Sequence, residues 1–318
     1  MKKVYLTTLL ILVFCSVLVG CNANSSADIQ KKIPKEDEQS YLNFKDDTGE
    51  EVKIKKKPER IVILNTQLLS LFDDIGGVPV GIATATGVEV TSSAKSAKKV
   101  GLINNVNVEE VLSLNPDLVI GQPVFHARLV NTMKRSNIPF ALLSINTEED
   151  VRHHATLLGE IMGKQQETKA KVDEMDQRIL QITSNVPEKR STFVLLTSLK
   201  NTLNIRTDNS LALDIATKLN LTNAAHHLKS DSNSVPYSME KLVELDPDYI
   251  FMTSAGAKDE EGIRTELKNQ KAWNALTAVK EGKFHFIPTS LFVNNPGLSL
   301  DKSFEYMSNI VYPKNSEE

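Results

Sequence analysis

The chain of 318 residues is 41% hydrophobic and 24% charged, so it can bury the core of one large domain or of two modest ones. Its formal net charge of −3, without long runs of like charge, gives no basic excess that would argue for nucleic-acid binding. Cysteine occurs only at positions 15 and 21, which excludes a disulfide framework and a thiolate metal site in the folded part.

The N-terminal segment has the order of a secretory signal. "MKK" precedes the apolar run "VYLTTLLILVFCSVLVG", which is shorter than the roughly 20 residues of a comfortable membrane span. The sequence "LVGC" resembles a bacterial lipobox, in which the cysteine thiol receives a diacylglycerol and becomes the first mature residue. This resemblance predicts a signal peptide over 1–20 and a lipidated Cys21, whose acyl chains would hold the protein at a membrane surface. The alternatives are an ordinary signal peptide or an uncleaved anchor.

The next segment is polar, and an alternating pattern follows it. Residues 21–44 are predicted to be the lipidated N-terminus and a flexible tether, because they are rich in Ser, Asn, Lys and Glu. Apolar alternation around "DDTGE" predicts a β-hairpin. From 45 to 147, short apolar runs such as "RIVIL" and "DLVIG" alternate with segments of helical spacing. That alternation predicts an N-terminal α/β lobe with a parallel sheet.

A long helical segment interrupts this rhythm. Residues 148–185 contain no proline, and their apolar residues recur near helical spacing, which predicts a bridging segment of one or two helices, mainly one long helix, with charges on the outer face. Strand-like runs such as "TFVLLTS" and "DYIFMTS" then alternate with helical segments over 186–318. The fold class is therefore α/β, with a C-terminal α/β lobe joined to the first lobe by a long helix.

A short phrase occurs once in each predicted lobe, as "NVEEVLSLNPDLVI" from 107 and as "SMEKLVELDPDYIF" from 238. Each copy predicts a short helix, a Pro-Asp turn and a strand. Asn107 and Ser238 are predicted N-caps, and Glu110 is placed to complete a capping box with Asn107.

Glu109 and Glu240 occupy matching positions in the first turns of these helices, off the apolar face. Acidic residues near a helix N-terminus are favourable by roughly 0.3–1 kcal/mol, which by itself could explain both. One matched, exposed acid in each lobe also fits a surface that meets a partner at two places.

These features together resemble one family, the solute-binding lipoproteins of ABC importers for iron–siderophore complexes, haem and cobalamin. The resemblance covers about residues 45–315, and it depends on the ordered set of motifs rather than on any one of them. The motifs are "GEEVKIKKKPERIVIL", "DDIGGVPVG", "VGLINNVNVEEVLSLNPDLVI", "LLGEIMGKQQETKAKV", "NSLALDIATKLNLTNAA", "SMEKLVELDPDYIF" and "WNALTAVKEGKFHFIP".

The resemblance implies two Rossmann-like lobes bridged by one long α-helix, with the ligand in the cleft between the lobes. It implies a monomer anchored on the outer face of the bacterial cytoplasmic membrane, which delivers its cargo to a permease dimer with a cytoplasmic ATPase. Glu109 and Glu240 correspond to the residues that dock onto the permease in this family.

Cleft residues are predicted from the rule that ligands of open α/β sheets lie beyond the carboxyl ends of the strands. The residues that this rule selects are Asn65, Thr66, Gln67, Thr84, Thr86, Gln122, Phe125, His126, Ser198, Lys200, Tyr237, Ser254, Ser290, Phe292 and Asn294.

The cargo expected from the resemblance is a ferric siderophore, with haem or a corrinoid as the alternative; no resident cofactor or metal site is expected. A siderophore needs only aromatic side chains and a few cations such as Lys200 and Arg206, whereas haem needs an axial His, Tyr or Met. The haem-binding relatives place Met and His where this chain has Asn105 and Ala255. His126 or Tyr237 could still ligate iron, so haem stays open.

Two other classes of protein are less compatible with the sequence. A binding protein for free metal ions would need several converging ligands, and the adjacent histidines at 153–154 and at 226–227 are interpreted as solvated surface. No Gly-x-Ser-x-Gly, His-Glu-x-x-His or phosphate-loop motif occurs, which argues against an enzyme.

Overall fold

The structure is a computed structural model, and it describes residues 40–199, 202–228, 233–255 and 260–313. The predicted signal peptide and Cys21 lie outside the described residues, as does all of the predicted tether except its last few positions. Within these described ranges, no helix is both long enough and apolar enough to span a bilayer.

The first element is the predicted hairpin, with strands β1 (Leu42–Lys45) and β2 (Glu51–Ile54) in antiparallel register. Asp46 closes its turn, because its Oδ1 accepts the Thr48 N–H at 2.9 Å and the Glu50 N–H at 3.2 Å. The same carboxylate accepts the backbone N–H of Leu142 at 3.0 Å, which attaches the hairpin to the first lobe.

The first lobe is built on a sheet whose central strands are parallel. Its elements are β3 (Ile61–Ile63), α1 (Leu69–Asp74), β4 (Gly81–Thr84), β5 (Lys98–Leu102), β6 (Asn105–Val106), α2 (Val108–Ser113), β7 (Leu118–Gly121), α3 (Pro123–His126), α4 (Val130–Arg135) and β8 (Phe140–Leu142). Within the described residues, the strand order is β6-β5-β4-β3-β7-β8, and only β6 is antiparallel. The central strands β3 and β7 are buried on both faces, as expected where helices cover both sides of a sheet.

The bridging segment consists of two helices, α5 (Glu148–Ile161) and α6 (Gln165–Thr183). Thr147 begins α5 with a capping box, in which its Oγ1 accepts the Asp150 N–H at 3.1 Å and the Asp150 carboxylate accepts the Thr147 N–H at 2.9 Å. The chain reverses at Gly163, whose φ of 65° is a left-handed conformation that glycine adopts without steric cost.

The two bridging helices lie side by side in opposite directions, so the segment over 148–185 follows the two-helix alternative rather than mainly one long helix. Arg152 Nε donates to the Asp176 carboxylate at 3.0 Å across the pair. A Cβ at Gly159 would lie 2.7 Å from Thr168 Oγ1, so the helices touch closely there. Residues 163–169 carry no apolar side chain, so periodicity alone does not decide between one helix and two.

The second lobe repeats the α/β plan. Its elements are β9 (Ser191–Leu199), β10 (Thr202–Arg206), α7 (Leu211–Lys218), β11 (Leu221–Asn223), β12 (Ser234–Pro236), α8 (Met239–Leu245), β13 (Tyr249–Ala255), α9 (Glu260–Lys268), α10 (Thr277–Lys280), β14 (Phe284–Phe286), α11 (Thr289–Phe292) and α12 (Asp301–Val311). In the described ranges, the strand order is β12-β10-β9-β13-β14, and β11 also pairs with β9. Helix α6 packs on α12, while α5 packs on α1, so the helical pair contacts both lobes.

Each copy of the repeated phrase forms the predicted helix, turn and strand, and both N-caps are confirmed. Asn107 Oδ1 accepts the Glu110 N–H at 3.2 Å, and Ser238 Oγ accepts the Lys241 N–H at 3.3 Å. The predicted capping box of the first copy is wrong. The Asn107 N–H donates instead to a carbonyl of β5 at 2.8 Å, and the Glu110 carboxylate pairs with a lysine of that strand at 3.2 Å.

The aspartates of the two Pro-Asp turns have matching structural roles. Asp117 accepts the N–H groups of Glu59 and Arg60, both at 2.8 Å, where the chain enters β3. Asp248 accepts the Thr192 N–H at 2.7 Å, near the start of β9. In each lobe the turn aspartate therefore fixes the beginning of a central strand, and this explains why Pro-Asp occurs in both copies.

Candidate functional site

A cavity of about 500 Å³ lies between the two sheets, at the edge where their parallel strands end. Ligands of open α/β sheets bind at this edge, so the position of the cavity agrees with the predicted cleft. The described residues that line it are Gln67, Gln122, Pro123, Val124, Phe125, Ser144, Ile145, Asn146, Leu195, Thr197, Ser198, Arg206, Asn209, Ser210, Leu211, Ala212, Asn233, Thr253, Phe292 and Val293.

Gln67 is the side chain that connects the two walls of the cavity. Its Nε2 donates to the carbonyl of Ile145 at 3.2 Å and to that of Val293, in the second lobe, at 3.1 Å. Its Oε1 accepts the side-chain amide of Gln122 at 3.0 Å. Asn65 positions Gln67 from below, because its Oδ1 accepts the Gln67 N–H at 3.0 Å. The two glutamine amides are thus oriented before any ligand enters.

The structure brings some of the predicted cleft residues together and places others elsewhere. Those that line the cavity are Gln67, Gln122, Phe125, Ser198 and Phe292. Those outside its lining are Asn65, Thr66, Thr84, Thr86, His126, Tyr237, Ser254, Ser290 and Asn294, and Lys200 lies outside the described residues.

The residues outside the lining have identifiable positions. Asn65 and Thr66 are buried under the site, where Asn65 Nδ2 donates to the Leu143 carbonyl at 2.6 Å. The Thr84 hydroxyl donates to the Gly101 carbonyl at 3.3 Å. Tyr237 packs against the second-lobe core, and burial raises its pKa to about 12. Thr86 and Ser290 are exposed, while Ser254 and Asn294 are half-buried.

Arg206 brings a positive charge to the second-lobe wall of the cavity, at the end of β10. Its Nη2 donates to the Asn209 carbonyl at 2.6 Å and, more weakly, to the Asp208 carbonyl at 3.4 Å. Burial lowers the pKa of the guanidinium, and the carboxylate charge of Asp208 opposes this shift. These contacts hold the guanidinium in place.

The first-lobe wall carries apolar groups on the short helix α3. Val124 is 75% exposed and Phe125 is 37% exposed, and both line the cavity. Phe292, from α11 of the second lobe, is buried and packs edge-on against Tyr306. The cavity therefore combines an apolar lip on one lobe with polar groups and a cation on the other.

Sequence reasoning missed several polar residues of the lining. Asn146, Asn209 and Ser210 lie in loops before α5 and α7, and Asn209 adopts a left-handed φ of 45°. The αL tendency of asparagine beside a helix start was an available signal. Thr253 lines the cavity, whereas the predicted Ser254 does not. The two residues are neighbours in strand β13, where successive side chains point to opposite faces of the sheet.

The model of the periplasmic binding protein family matches residues 61–291, which is most of the chain. The chain belongs to this family. This periplasmic binding protein has the two-lobed α/β architecture and the interlobe cavity that the sequence resemblance implied.

Named relatives agree with this assignment. The Fe(3+)-citrate-binding protein YfmC of Bacillus subtilis is 25% identical over 281 residues, covering 86% of each chain. The putative ABC transporter substrate-binding lipoprotein YhfQ of the same organism is 23% identical over 310 residues, covering 92% of each. The crystal structure of Staphylococcus aureus SirA with staphyloferrin B has a TM-score of 0.71 at 19% identity, covering 85% of this chain and 98% of SirA.

Glu109 and Glu240 are exposed on this periplasmic binding protein, in the first turns of α2 and α8. Each helix is joined to the following parallel strand by a short turn, so it runs opposite to that strand. Its N-terminus therefore lies toward the edge where the strands end, which is also the edge of the cavity. Within the described residues, neither glutamate forms an ion pair, in contrast to Glu110 with Lys98 at 3.2 Å.

His126 is fully buried below the cavity, where its Nδ1 accepts the Gln122 N–H at 2.9 Å. Its Nε2 therefore carries the proton of the neutral ring. Burial lowers the pKa of His126 to about 4, and the charge of Arg128 adds to this effect. The side chain supports the loop that carries Gln122 and does not face the ligand space.

Lowering the pH should destabilise the fold through His126. The unfolded chain takes up a proton near pH 6.5 and the folded chain near pH 4, so stability is complete above 6.5 and declines below it. Between pH 6.5 and 5.5 we expect a loss of about 1 kcal/mol from this group. Urea unfolding at both pH values measures it. His126→Asn keeps an acceptor for Gln122, and an undiminished pH dependence in that variant would contradict this assignment.

One of the four adjacent histidines is buried, contrary to the interpretation of both pairs as solvated surface. His153, His226 and His227 are exposed, whereas His154 is 1% exposed. His154 Nε2 lies 3.0 Å from the Ser144 carbonyl and 3.2 Å from the Asp47 carboxylate. Among the residues that the structure describes, no three or more His, Cys, Asp or Glu side chains cluster to hold a metal ion.

Proposed function

We propose that this protein is the extracytoplasmic substrate-binding lipoprotein of an ABC importer, and that it captures a ferric chelate and delivers it to a permease. The observation that carries the proposal is the interlobe cavity with its set of donors. Side-chain amides, hydroxyls and one guanidinium surround a space of about 500 Å³, beside the apolar lip of α3. Such groups donate hydrogen bonds to oxygen atoms at the periphery of a chelate whose iron is already coordinated.

The named relatives support iron as the transported element, since YfmC is named for ferric citrate and SirA was crystallised with staphyloferrin B. We place a ferric siderophore or a ferric carboxylate first, as cargo rather than as a resident cofactor. Haem or a corrinoid is the second candidate. The possible axial ligands considered for them, His126 and Tyr237, lie outside the lining.

Delivery requires recognition of the permease without chemical turnover of the cargo. We propose that Glu109 and Glu240 dock onto basic residues of the two permease subunits, and that the cytoplasmic ATPase drives transport. The absence of ion pairs for these two acids among the described residues supports the assignment, because their charges are available to a partner.

The direct test is calorimetric titration of the purified chain from residue 22 with ferric citrate, a ferric hydroxamate, a ferric catecholate, haemin and cobalamin. Calorimetry is preferred to tryptophan fluorescence because Trp273, 1% exposed, belongs to the second-lobe core and is not a lining residue. Saturable one-to-one binding of a ferric chelate supports the proposal. Binding of haemin alone would replace siderophore by haem, and a chain that binds none of the five would refute chelate capture.

Cys21→Ala should abolish membrane attachment, because the proposed diacylglycerol is joined to that thiol. The measurement is fractionation of cells into membrane and soluble parts, together with incorporation of labelled palmitate. We expect the variant to lose the label completely and to be either released or left unprocessed. Cys15→Ala is the matched control and should keep the label, because Cys15 lies within the predicted signal peptide. Equal labelling of the Cys21 variant would disprove the anchor.

A further inference from the structure

We infer that Asn295 is a positioning residue of the cavity, because it holds Gln67 in place from the second lobe. This inference rests on the proposed function and adds a residue outside the lining on which the affinity for the cargo depends. Asn295 lies in the junction segment, residues 293–298, which connects α11 to α12. It follows the predicted cleft residue Asn294, and neither of the two lines the cavity.

The Asn295 side chain uses both ends of its amide. The residue is 1% exposed, and its φ of 58° is a left-handed conformation that asparagine adopts more readily than most residues. Its Nδ2 donates to the main-chain carbonyl of Gln67, in the first lobe, at 3.2 Å. Its Oδ1 accepts the N–H of Gly297 at 3.3 Å, within its own turn. One buried side chain therefore joins the fold of the junction segment to the backbone that carries Gln67.

The junction segment is attached to the first lobe near both ends of α1. Gln67, two residues before α1, donates its Nε2 to the carbonyl of Val293 at 3.1 Å. Asp74, the last residue of α1, accepts the N–H of Leu298 at 2.6 Å. A Cβ at Gly297 would lie 2.1 Å from the same carboxylate, so the chain passes too close for a side chain there. These contacts fix the segment against the first lobe in addition to the bridging helices.

The position of Gln67 decides the orientation of two amides in the cavity wall. Its Nε2 donates to the carbonyls of Ile145 and Val293, so its Oε1 must face Gln122. Gln122 must then donate through its own Nε2, at 3.0 Å. A shift of the Gln67 backbone would break this arrangement and free both amides to rotate. Asn295 therefore acts on a ligand through Gln67, as a supporting residue behind the lining.

The binding test is a double-mutant cycle on the full-length lipoprotein purified in mild detergent, with ferric citrate and a ferric tris-catecholate as calorimetric probes. Asn295→Gly keeps the left-handed backbone and removes both side-chain hydrogen bonds. We expect it to weaken the bound probe by about fivefold or more when Gln67 is present. In protein that carries Gln67→Ala the same change should cost less than about twofold, because no glutamine is left to displace. Equal losses in both backgrounds would overturn the inference.

A second variant separates the two hydrogen bonds of Asn295. Asn295→Asp keeps an acceptor for the Gly297 N–H but has no donor for the Gln67 carbonyl. We expect the affinity of this variant to fall as far as that of Asn295→Gly, and thermal melting checks that each variant is folded during the titration. Wild-type affinity in Asn295→Asp would mean that Asn295 only shapes its own turn.

Hydrogen exchange tests the positioning without any cargo. Asn295→Gly should speed exchange of the backbone amides of residues 66–68 by about tenfold, although the substitution lies in the other lobe. Asn137→Gly is the matched control, since Asn137 is an exposed, left-handed asparagine of the first lobe with a φ of 54°, and it should leave that exchange unchanged. Unchanged exchange in Asn295→Gly would contradict the positioning role. If no ferric probe binds wild-type protein, chelate capture falls, and exchange alone decides whether Asn295 positions Gln67.

Discussion

Replacing both Glu109 and Glu240 with alanine should abolish uptake of the ferric chelate while leaving its binding affinity unchanged. Both carboxylates are exposed, and neither is among the residues that line the cavity. Charged groups at the rim of an interface steer association and fix its orientation, so their loss affects the encounter with the permease and not the cargo. The readouts are uptake of radiolabelled iron by cells that carry only the variant, and calorimetric affinity of the purified protein.

The same helices supply a matched control. Glu110→Ala with Glu244→Ala also removes one acid from α2 and one from α8, and the native partner of Glu110 is an exposed lysine. Surface ion pairs of this type contribute about 0–1 kcal/mol, so the control should fold normally and transport at the wild-type rate. Normal uptake by the Glu109 and Glu240 double variant would refute docking, and equal loss in both double variants would indicate only a general effect of net charge.

Asp248→Ala should lower the free energy of unfolding by about 3 kcal/mol, because it removes a carboxylate that accepts both the N–H and the hydroxyl of Thr192. Those two hydrogen bonds are 2.7 and 3.0 Å long, and Thr192 Oγ1 also accepts the Asp248 N–H at 3.1 Å. The loss leaves a backbone donor unpaired near the start of the central strand β9. Urea unfolding of the purified chain measures the change.

Asp117→Ala is the corresponding change in the first lobe, and we expect a smaller loss of about 1–2 kcal/mol, since its bonds to Glu59 and Arg60 are exposed to water. Asp173→Ala, on the outer face of α6, is the surface control. Asp173 pairs with exposed Lys169, so its loss should stay within about 0.5 kcal/mol. If Asp248→Ala were no more destabilising than this control, the turn aspartates would have no structural role.

The repeated phrase shows how far a sequence pattern can be interpreted. Its caps, its turn and its strand could be predicted because each depends on local chemistry, from the Asn107 side chain to the Pro-Asp turn. The partner of Asp248 could not be predicted, since Thr192 lies far away in sequence and is brought near by strand pairing. The two exposed glutamates of the phrase make no such contact between distant residues in the described part of the chain, and their local role is limited to the favourable position of an acid near a helix N-terminus.

The bridging segment shows the opposite case. Its helices were visible from the spacing of apolar residues, but their reversal at Gly163 was not. Gly163, with a φ of 65°, changes the direction of the chain, and its left-handed conformation cannot be predicted from the spacing of apolar residues. Contacts between distant residues, such as Arg152 with Asp176, are what distinguish two antiparallel helices from one long helix.

The α/β class, the two-lobed order and most strands could be predicted from the amino-acid sequence, because these follow from local periodicity and turn chemistry. The sequence also located the edge of the sheets where a ligand would bind. The set of side chains that line the cavity could not be predicted in this way. Its composition depends on the direction of each side chain and on contacts between lobes, which set Gln67 and Arg206 in the walls and buried His126 beneath them. Neither property is encoded in a local pattern of residues.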